Sequence, residues 1–111
     1  MKLPNGDRAQ LGNKLDDYCL NPDRRRGQHK ARLLQKRLGI TRANADRLAH
    51  AVRRAAATEP ATLRKTNEYG RHYNLKFRLE TDIGSATILT AWIIRTDENF
   101  PRLTNCYPVD R

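Results

Sequence analysis

Cysteine is scarce in this sequence, with only Cys19 and Cys106 among 111 residues. The two cysteines lie far apart in the chain, so they form neither a CxxC pair nor a zinc-ligand spacing. This argues against a CxxC redox motif and against a cysteine-ligated metal site. We expect reduced thiols in a cytoplasmic protein, with a disulfide between the two cysteines as the alternative.

Long apolar runs are also missing. No segment approaches the ~20 consecutive apolar residues that cross a bilayer, and the first ten residues lack the apolar stretch of a targeting signal. The chain contains no glycine-rich phosphate loop of the GxxxxGK[S/T] or GxGxxG type and no GxSxG motif. We therefore expect a cytoplasmic protein with no membrane partner, no cofactor and no metal ion.

Acidic residues are few: 12 Asp and Glu against 22 Lys and Arg give a net charge of +10. The excess is local, because the segment from Arg24 to Arg54 contains eleven basic residues and one acidic residue, Asp46. The rest of the chain has equal numbers of each sign. A clustered cationic excess is typical of proteins that bind nucleic acids, and we expect RNA. A solvated helical face is the alternative interpretation.

The first half of the chain, about residues 13–58, has the pattern of basic helices. The predicted helices cover residues 13–20, 28–38 and 41–57. Gly39 suits the left-handed position after the second helix, and Thr41 suits the N-cap of the third. In the third helix the apolar positions that recur with helical period include Leu48, Val52 and Ala55, so this helix is expected to pack on a sheet.

The second half, about residues 62–108, has the pattern of strands separated by turns. The predicted strands cover residues 63–69, 71–80, 86–95 and 102–107. Apolar and polar residues alternate in the second strand, and the third is apolar on both faces, as in a central strand. Tyr73 and Trp92 are expected in the core. We expect one α+β domain, residues 1–111, in which N-terminal helices pack on a roughly four-stranded, mainly antiparallel sheet.

Five stretches carry a family resemblance: LDDYCLNP, GQHKARLLQKRLGIT, NEYGRHYNLKF, TAWIIR and FPRLTNCYPV. They resemble a bacterial family of small domains of unknown function. Its members occur alone or, in similar form, at the C-terminal ends of contact-dependent-inhibition and other polymorphic toxins. The resemblance spans about residues 15–108, and its most specific parts are the GxHKA element and the AWI…PRLTxxYP ending.

The order of elements also resembles, at the level of the fold, the barnase–EndoU–colicin–RelE group of metal-independent ribonucleases. Together the resemblances imply a toxin-type endoribonuclease, with tRNA among its candidate substrates. They also imply a cognate antitoxin or immunity protein, which we expect to be acidic. Neither resemblance assigns catalytic residues to this chain, so the candidates below rest on chemistry and position.

Metal-independent RNA cleavage requires a base, an acid and groups that stabilise charge on the phosphate. Histidine suits the first two roles. His29, beside Lys30 at the start of a basic helix, is the first candidate, because helix N-termini attract anions. His72, on the polar side of the second strand, is the next. For each histidine the alternative is an ordinary solvent-facing side chain, and His50 is expected to be one.

The last strand supplies the remaining catalytic candidates. Arg102 and Thr104 are expected to alternate to one side together with Cys106, where Arg102 can clamp a phosphate and Thr104 can donate to it. We expect the groups that act on the phosphate to converge on one concave surface: His29, Lys30, Arg102 and Thr104.

The other candidates are nucleic-acid contacts. Tyr69 can stack on a base. The cations expected to bind the phosphate backbone are Arg24, Arg25, Arg26, Arg32, Lys36 and Arg37. A non-catalytic RNA-binding module that uses the same basic surface is the alternative function. A protein-interaction component, such as the antitoxin or an accessory protein of a toxin or mobile-element system, is another.

Overall fold

The computed structural model of the protein describes residues 1–12, 14–15 and 28–109, with side chains from Lys30 onward in the last range. Its main elements are α1 (Gln28–Leu38), α2 (Ala45–Thr58), β1 (Thr62–Asn67), β2 (Gly70–Glu80), β3 (Ser85–Arg95) and β4 (Arg102–Val109). Two helices thus precede a four-stranded antiparallel sheet, which confirms the predicted α+β arrangement. The predicted helix over residues 13–20 lies outside the described residues except for Lys14 and the buried Leu15.

The sheet is a meander in which the strands neighbour one another in chain order. β2 and β3 pair without interruption from Gly70 opposite Arg95 to Glu80 opposite Ser85. β3 lies between β2 and β4, as its apolar sequence on both faces predicts. β1 is shorter and pairs only with the first part of β2, as far as Asn74.

The core lies between the sheet and the two helices. Leu34 and Leu38 of α1 and Leu48 and Val52 of α2 are fully buried in one cluster with the sheet. Tyr73 and Trp92, both predicted in the core, are buried in it as well. The buried polar groups of Thr90 and Trp92 are satisfied, because Trp92 Nε1 donates to Thr90 Oγ1 and Thr90 Oγ1 donates to the Leu75 carbonyl.

The helix termini follow the predicted signals. Gly39 has a φ of 69°, which a glycine adopts without strain, and ends α1. Thr41 accepts a hydrogen bond from the Ala43 amide, but the first turn, Arg42–Asn44, is a 3-10 turn and α2 begins only at Ala45. Among the described residues, no helix has the length and apolar character needed to cross a membrane.

The N-terminal segment pairs with the start of β4, a contact that the sequence patterns do not predict. Gln10 pairs with Arg102 in a parallel bridge, donating to the Pro101 carbonyl and accepting from the Leu103 amide. Gly6 lies against the carbonyl of Ala56 in α2, where a Cβ atom would overlap it. The buried side chains that anchor this segment are Leu3, Ala9 and Leu11.

The packing of α2 gives a direct test of the fold. Val52 is fully buried, so Val52→Asp places an unpaired charge in the core. We expect it to lower the free energy of unfolding by about 3 kcal/mol or more, measured by urea denaturation. The matched control is His50→Asp, which adds the same charge at an exposed position of the same helix and should change stability by less than about 0.5 kcal/mol. Equal effects of the two substitutions would contradict this packing.

Candidate nucleic-acid interface

The β2–β3 register divides the sheet into two surfaces. Tyr73 and Leu75 pair with Trp92 and Thr90, and all four are buried against the helices. Because neighbouring residues of a strand point to opposite sides, the alternate residues form the other surface, here called the outer face. Its side chains include Lys65 of β1; His72, Asn74, Lys76, Arg78 and Glu80 of β2; Ala91, Ile93 and Arg95 of β3; and Arg102, Asn105 and Tyr107 of β4.

The outer face has a cationic rim around an apolar centre. Three apolar residues follow one another on the outer face of β3: Leu89, which is buried, and Ala91 and Ile93, which are half-buried. Asn74 and Asn105 flank Ala91 on the neighbouring strands. The cations on the strands around this centre are Lys65, Lys76, Arg78, Arg95 and Arg102, against one acid, Glu80. Amides and apolar groups can contact bases, while the cations can contact phosphates.

His72 lies near the β1–β2 turn, with Lys65 opposite it on β1. Its Nε2 atom is 3.2 Å from Oδ1 of Asn67. That oxygen also accepts hydrogen bonds from the backbone amides of Tyr69, at 3.0 Å, and Gly70, at 3.3 Å. Because Asn67 Oδ1 acts as an acceptor, Nε2 carries the ring proton and Nδ1 of the neutral ring keeps its lone pair.

Partial desolvation and the positive charges of Lys65 and then Arg64 lower the pKa of His72 below its ordinary value. A histidine whose pKa is lowered is neutral at pH 7. Its available Nδ1 lone pair can therefore take a proton, whereas the neutral ring is a poor acid.

Arg102 is held in an ion pair at the start of β4. Its guanidinium donates two hydrogen bonds to the Glu98 carboxylate, at 2.8 Å and 2.7 Å, and lies 5.0 Å from the centre of the Phe100 ring. The hydrogen bond from Arg102 also lowers the pKa of Glu98, so the carboxylate stays charged. A phosphate that binds Arg102 therefore has to compete with Glu98 for the guanidinium.

Thr104 does not share a side with Arg102 and Cys106 in regular alternation, which corrects the sequence prediction. The β3–β4 register shifts between Ala91, opposite Asn105, and Trp92, opposite Leu103, so Thr104 is the extra residue of a β-bulge. The bulge reverses the alternation, placing Arg102 on the outer face while Cys106 is fully buried on the core side. Thr104 itself is exposed.

Lys30 lies at the opposite end of β4 from Arg102. Its Nζ atom is 4.3 Å from the centre of the Tyr107 ring, a cation–π contact that joins α1 to the outer face. Tyr107 is five residues from Arg102, roughly 15 Å along the strand. The structure thus does not bring Lys30 and Arg102 together, and the side chain of His29 lies outside the described residues.

Two of the catalytic candidates, His72 and Arg102, lie on the outer face opposite the same residue of β3. Both pair with Ile93 of the central strand, one from each side. Their Cα atoms are therefore two strand spacings apart, about 10 Å. A phosphodiester with its neighbouring nucleosides spans such a gap, with Ile93 beneath it.

The remaining candidates lie on the two helices and in the β1–β2 turn. Arg32 and Lys36 are exposed on α1, and Arg37 is half-buried. Tyr69 is 66% exposed in the β1–β2 turn, and His50 is exposed on α2, as predicted. The stretch that contains Arg24, Arg25 and Arg26 lies outside the described residues.

Most cations of the outer face lie outside the basic segment that the sequence predicts to bind RNA. The cations Lys65, Lys76, Arg78 and Arg95 lie outside the segment from Arg24 to Arg54, and the basic and acidic residues outside that segment are equal in number, so these cations do not appear in the net charge. The available signal was the alternation in β2, which puts the polar residues 72, 74, 76 and 78 on one side. Asn67 carried no signal, because its role depends on the geometry of the turn.

A family model described as a domain of unknown function, DUF6883, matches residues 2–110. A search among curated proteins found no match. The family match confirms the predicted resemblance to a family of unknown function, while the similarity to toxin domains stays a prediction. Since the match covers nearly the whole chain, the protein belongs to the DUF6883 family.

Proposed function

We propose that the protein binds RNA on the outer face of its sheet. The observation that carries this proposal is the cationic rim around a half-buried apolar centre, with Asn74 and Asn105 beside it. Unstacked bases can lie on the apolar strip and hydrogen-bond to the amides while the rim contacts phosphates. This arrangement favours a single-stranded segment, since duplex RNA does not present its bases to a flat surface.

The basic helix α1 extends the same surface. The contact of Lys30 with the Tyr107 ring connects the first turn of α1 to the edge of the outer face. Arg32 and Lys36 are exposed farther along the helix. An RNA strand that leaves the sheet beside β4 therefore meets further cations, which belong to the α1 part of the cationic segment.

Replacing three rim cations should weaken RNA binding in a salt-dependent way. Lys65→Gln, Lys76→Gln and Arg78→Gln combined remove three phosphate contacts, so the slope of log K against log salt should become shallower by about 2. Fluorescence anisotropy with a labelled single-stranded oligouridylate between 50 and 300 mM salt measures the slope.

The matched control removes three cations from the helical layer: Arg42→Gln, Arg53→Gln and Arg54→Gln. All three are exposed and belong to α2 or the turn before it. This variant has the same net charge as the first but should keep most of the wild-type slope. Equal losses in both variants would mean that overall charge, and not the outer face, determines binding.

The second candidate function is metal-independent cleavage of the bound RNA, with His72 as the general base. The observation that favours it is the neutral His72 ring, which donates Nε2–H to Asn67 and keeps the Nδ1 lone pair beside the cations Lys65 and Arg64. Transfer of the ribose 2′-OH proton to Nδ1 starts attack on the adjacent phosphorus, and nearby cations stabilise the charge that develops. The toxin resemblance supports a toxin-type enzyme with an acidic antitoxin.

Comparison of the three histidines tests this second function. We expect His72→Ala to slow cleavage of an oligoribonucleotide by about 10²–10⁴-fold, with no loss of the activity in EDTA and a 2′,3′-cyclic phosphate product. The wild-type rate should rise with pH through a pKa below that of an ordinary histidine and then level off.

The control for this experiment is His50→Ala, which removes an exposed histidine of α2 and should leave the rate unchanged. His29→Ala distinguishes the two catalytic candidates. Loss of cleavage in His29→Ala with full activity in His72→Ala would assign the base to α1. Absence of any cleavage by the wild-type protein leaves RNA binding as the function.

A further inference from the structure

Arg102 is the cation of the outer face that an acid holds in place. Its Nε and Nη2 atoms donate to the two carboxylate oxygens of Glu98, at 2.8 Å and 2.7 Å, so one edge of the guanidinium plane is bonded. Among the described residues, no ion pair joins another cation of the outer face to an acid. The plane of this guanidinium is therefore fixed by the protein before a ligand arrives.

The Phe100 ring covers one face of that plane. The Cζ atom of Arg102 lies 5.0 Å from the centre of the ring, a cation–π contact, and Phe100 is itself half-buried. The Arg102 side chain is nevertheless 37% exposed. Because one edge and one face of the guanidinium are occupied, the parts left for a ligand are its second face and the Nη1 group.

The charges around Arg102 balance. Besides the two partners themselves, the charges that act on this ion pair are Asp97, which acts on Arg102, and Arg95, which acts on Glu98. Two acids thus accompany two cations. A phosphate that reaches the Nη1 group also approaches the Glu98 carboxylate, and the two negative charges repel each other. The net attraction of Arg102 for a phosphate is therefore weakened.

A nucleobase needs no net charge to bind at this position. Bases stack on planar guanidinium groups as they do on aromatic rings. Arg102 pairs with Ile93 of the central strand, which is half-buried at the apolar centre of the outer face. A base on the second face of Arg102 would lie beside this apolar side chain, and the contact would bury apolar surface of both.

We propose that Arg102 binds an unpaired base of RNA by stacking, with Glu98 along one edge of its guanidinium and Phe100 on the opposite face, and that it does not bind a phosphate. A purine suits this position better than a pyrimidine, because its larger face makes more contacts. The proposal rests on the RNA binding proposed for the outer face and gives one of its residues a separate role. The other cations of the outer face remain phosphate contacts.

Arg102→Lys tests this role because it keeps the charge and removes the plane. The probe is a labelled nonaribonucleotide of alternating adenosine and cytidine, which does not pair with itself. We expect Arg102→Lys and Arg102→Ala each to weaken binding of the probe by about 5-fold or more, while the slope of log K against log salt stays at the wild-type value. Fluorescence anisotropy measures both quantities.

The matched contrast is Arg78, an exposed arginine of the same face. Arg78→Ala should make the slope shallower by about 0.7, which is the effect of one phosphate contact in a single strand. The two alanine variants remove the same charge and the same side chain, so the difference between their slopes separates a base contact from a phosphate contact.

A second measurement does not depend on affinity. The Nε–H group of Arg102 is hydrogen-bonded to Glu98, which slows the exchange of its proton with water and makes it observable in ¹H–¹⁵N spectra. A stacked base should move this proton resonance upfield through its ring current. An abasic strand with the same number of phosphates should leave the resonance in place.

An all-pyrimidine strand tests the preference for a purine. A nonaribonucleotide of alternating uridine and cytidine should bind the wild-type protein more weakly than the probe does. The difference should disappear in Arg102→Ala, because the stacking surface is then missing. Equal binding of the two strands by the wild-type protein would contradict the preference.

Three results would overturn the stacking role while leaving RNA binding intact. They are wild-type affinity in Arg102→Lys, a slope that is shallower by about 0.7 in Arg102→Ala, and no upfield shift of the Arg102 resonance at saturation. The first two would assign a phosphate to Arg102. If the wild-type protein does not bind the probe even at low salt, the stacking role and RNA binding on the outer face are both wrong.

Discussion

The unbroken pairing of β2 with β3 is the constraint on which the rest of the molecule depends. Eleven consecutive residue pairs leave no freedom of register, so each residue of the two strands is assigned to the core or to the outer face. This register places three large side chains in the core, Tyr73, Leu75 and Trp92, and places the polar residues between them on the opposite face. A shift of one residue would bury Lys76 and Arg78 and expose Phe77, which the hydrophobic effect opposes.

The sequence patterns predict which residues of the helices and of β2 face the core, but they do not predict every residue of the candidate RNA-binding site. Helical period in α2 predicts the burial of Leu48 and Val52, and alternation in β2 predicts that His72 is on the polar side. Both predictions are confirmed, because the period of a helix or a strand is a local property and each element buries one apolar face. The bulge at Thr104 has no such signal, since it arises from the pairing of two strands, and it moved Arg102 and Cys106 to opposite faces.

Contacts between distant segments were also beyond the sequence patterns. The pairing of Gln10 with β4 joins residues that are far apart in the chain, and nothing in a sequence of mixed polarity specifies it. The ion pair of Glu98 with Arg102 is close in sequence, but it depends on the β3–β4 turn bringing the carboxylate to the guanidinium. These two interactions decide which groups near Arg102 are available to a ligand.

The cations of the proposed RNA surface are not those that produce the net charge of the protein. The excess of +10 resides in the segment between Arg24 and Arg54, yet the cations of the outer face lie outside that segment, where basic and acidic residues are equal in number. A sheet can concentrate one sign on one surface because alternation and turns place the compensating acids elsewhere. The outer face therefore combines cations, amides and apolar residues, a set suited to single-stranded RNA.

The most direct test of RNA binding on the outer face is a ¹H–¹⁵N NMR titration of the full chain with a short single-stranded oligouridylate. We expect the largest amide shift changes at Lys65, His72, Ala91, Ile93 and Asn105, and little change in the amides of α2. Changes concentrated in α2, or no changes at low salt, would contradict the assignment of RNA binding to the outer face.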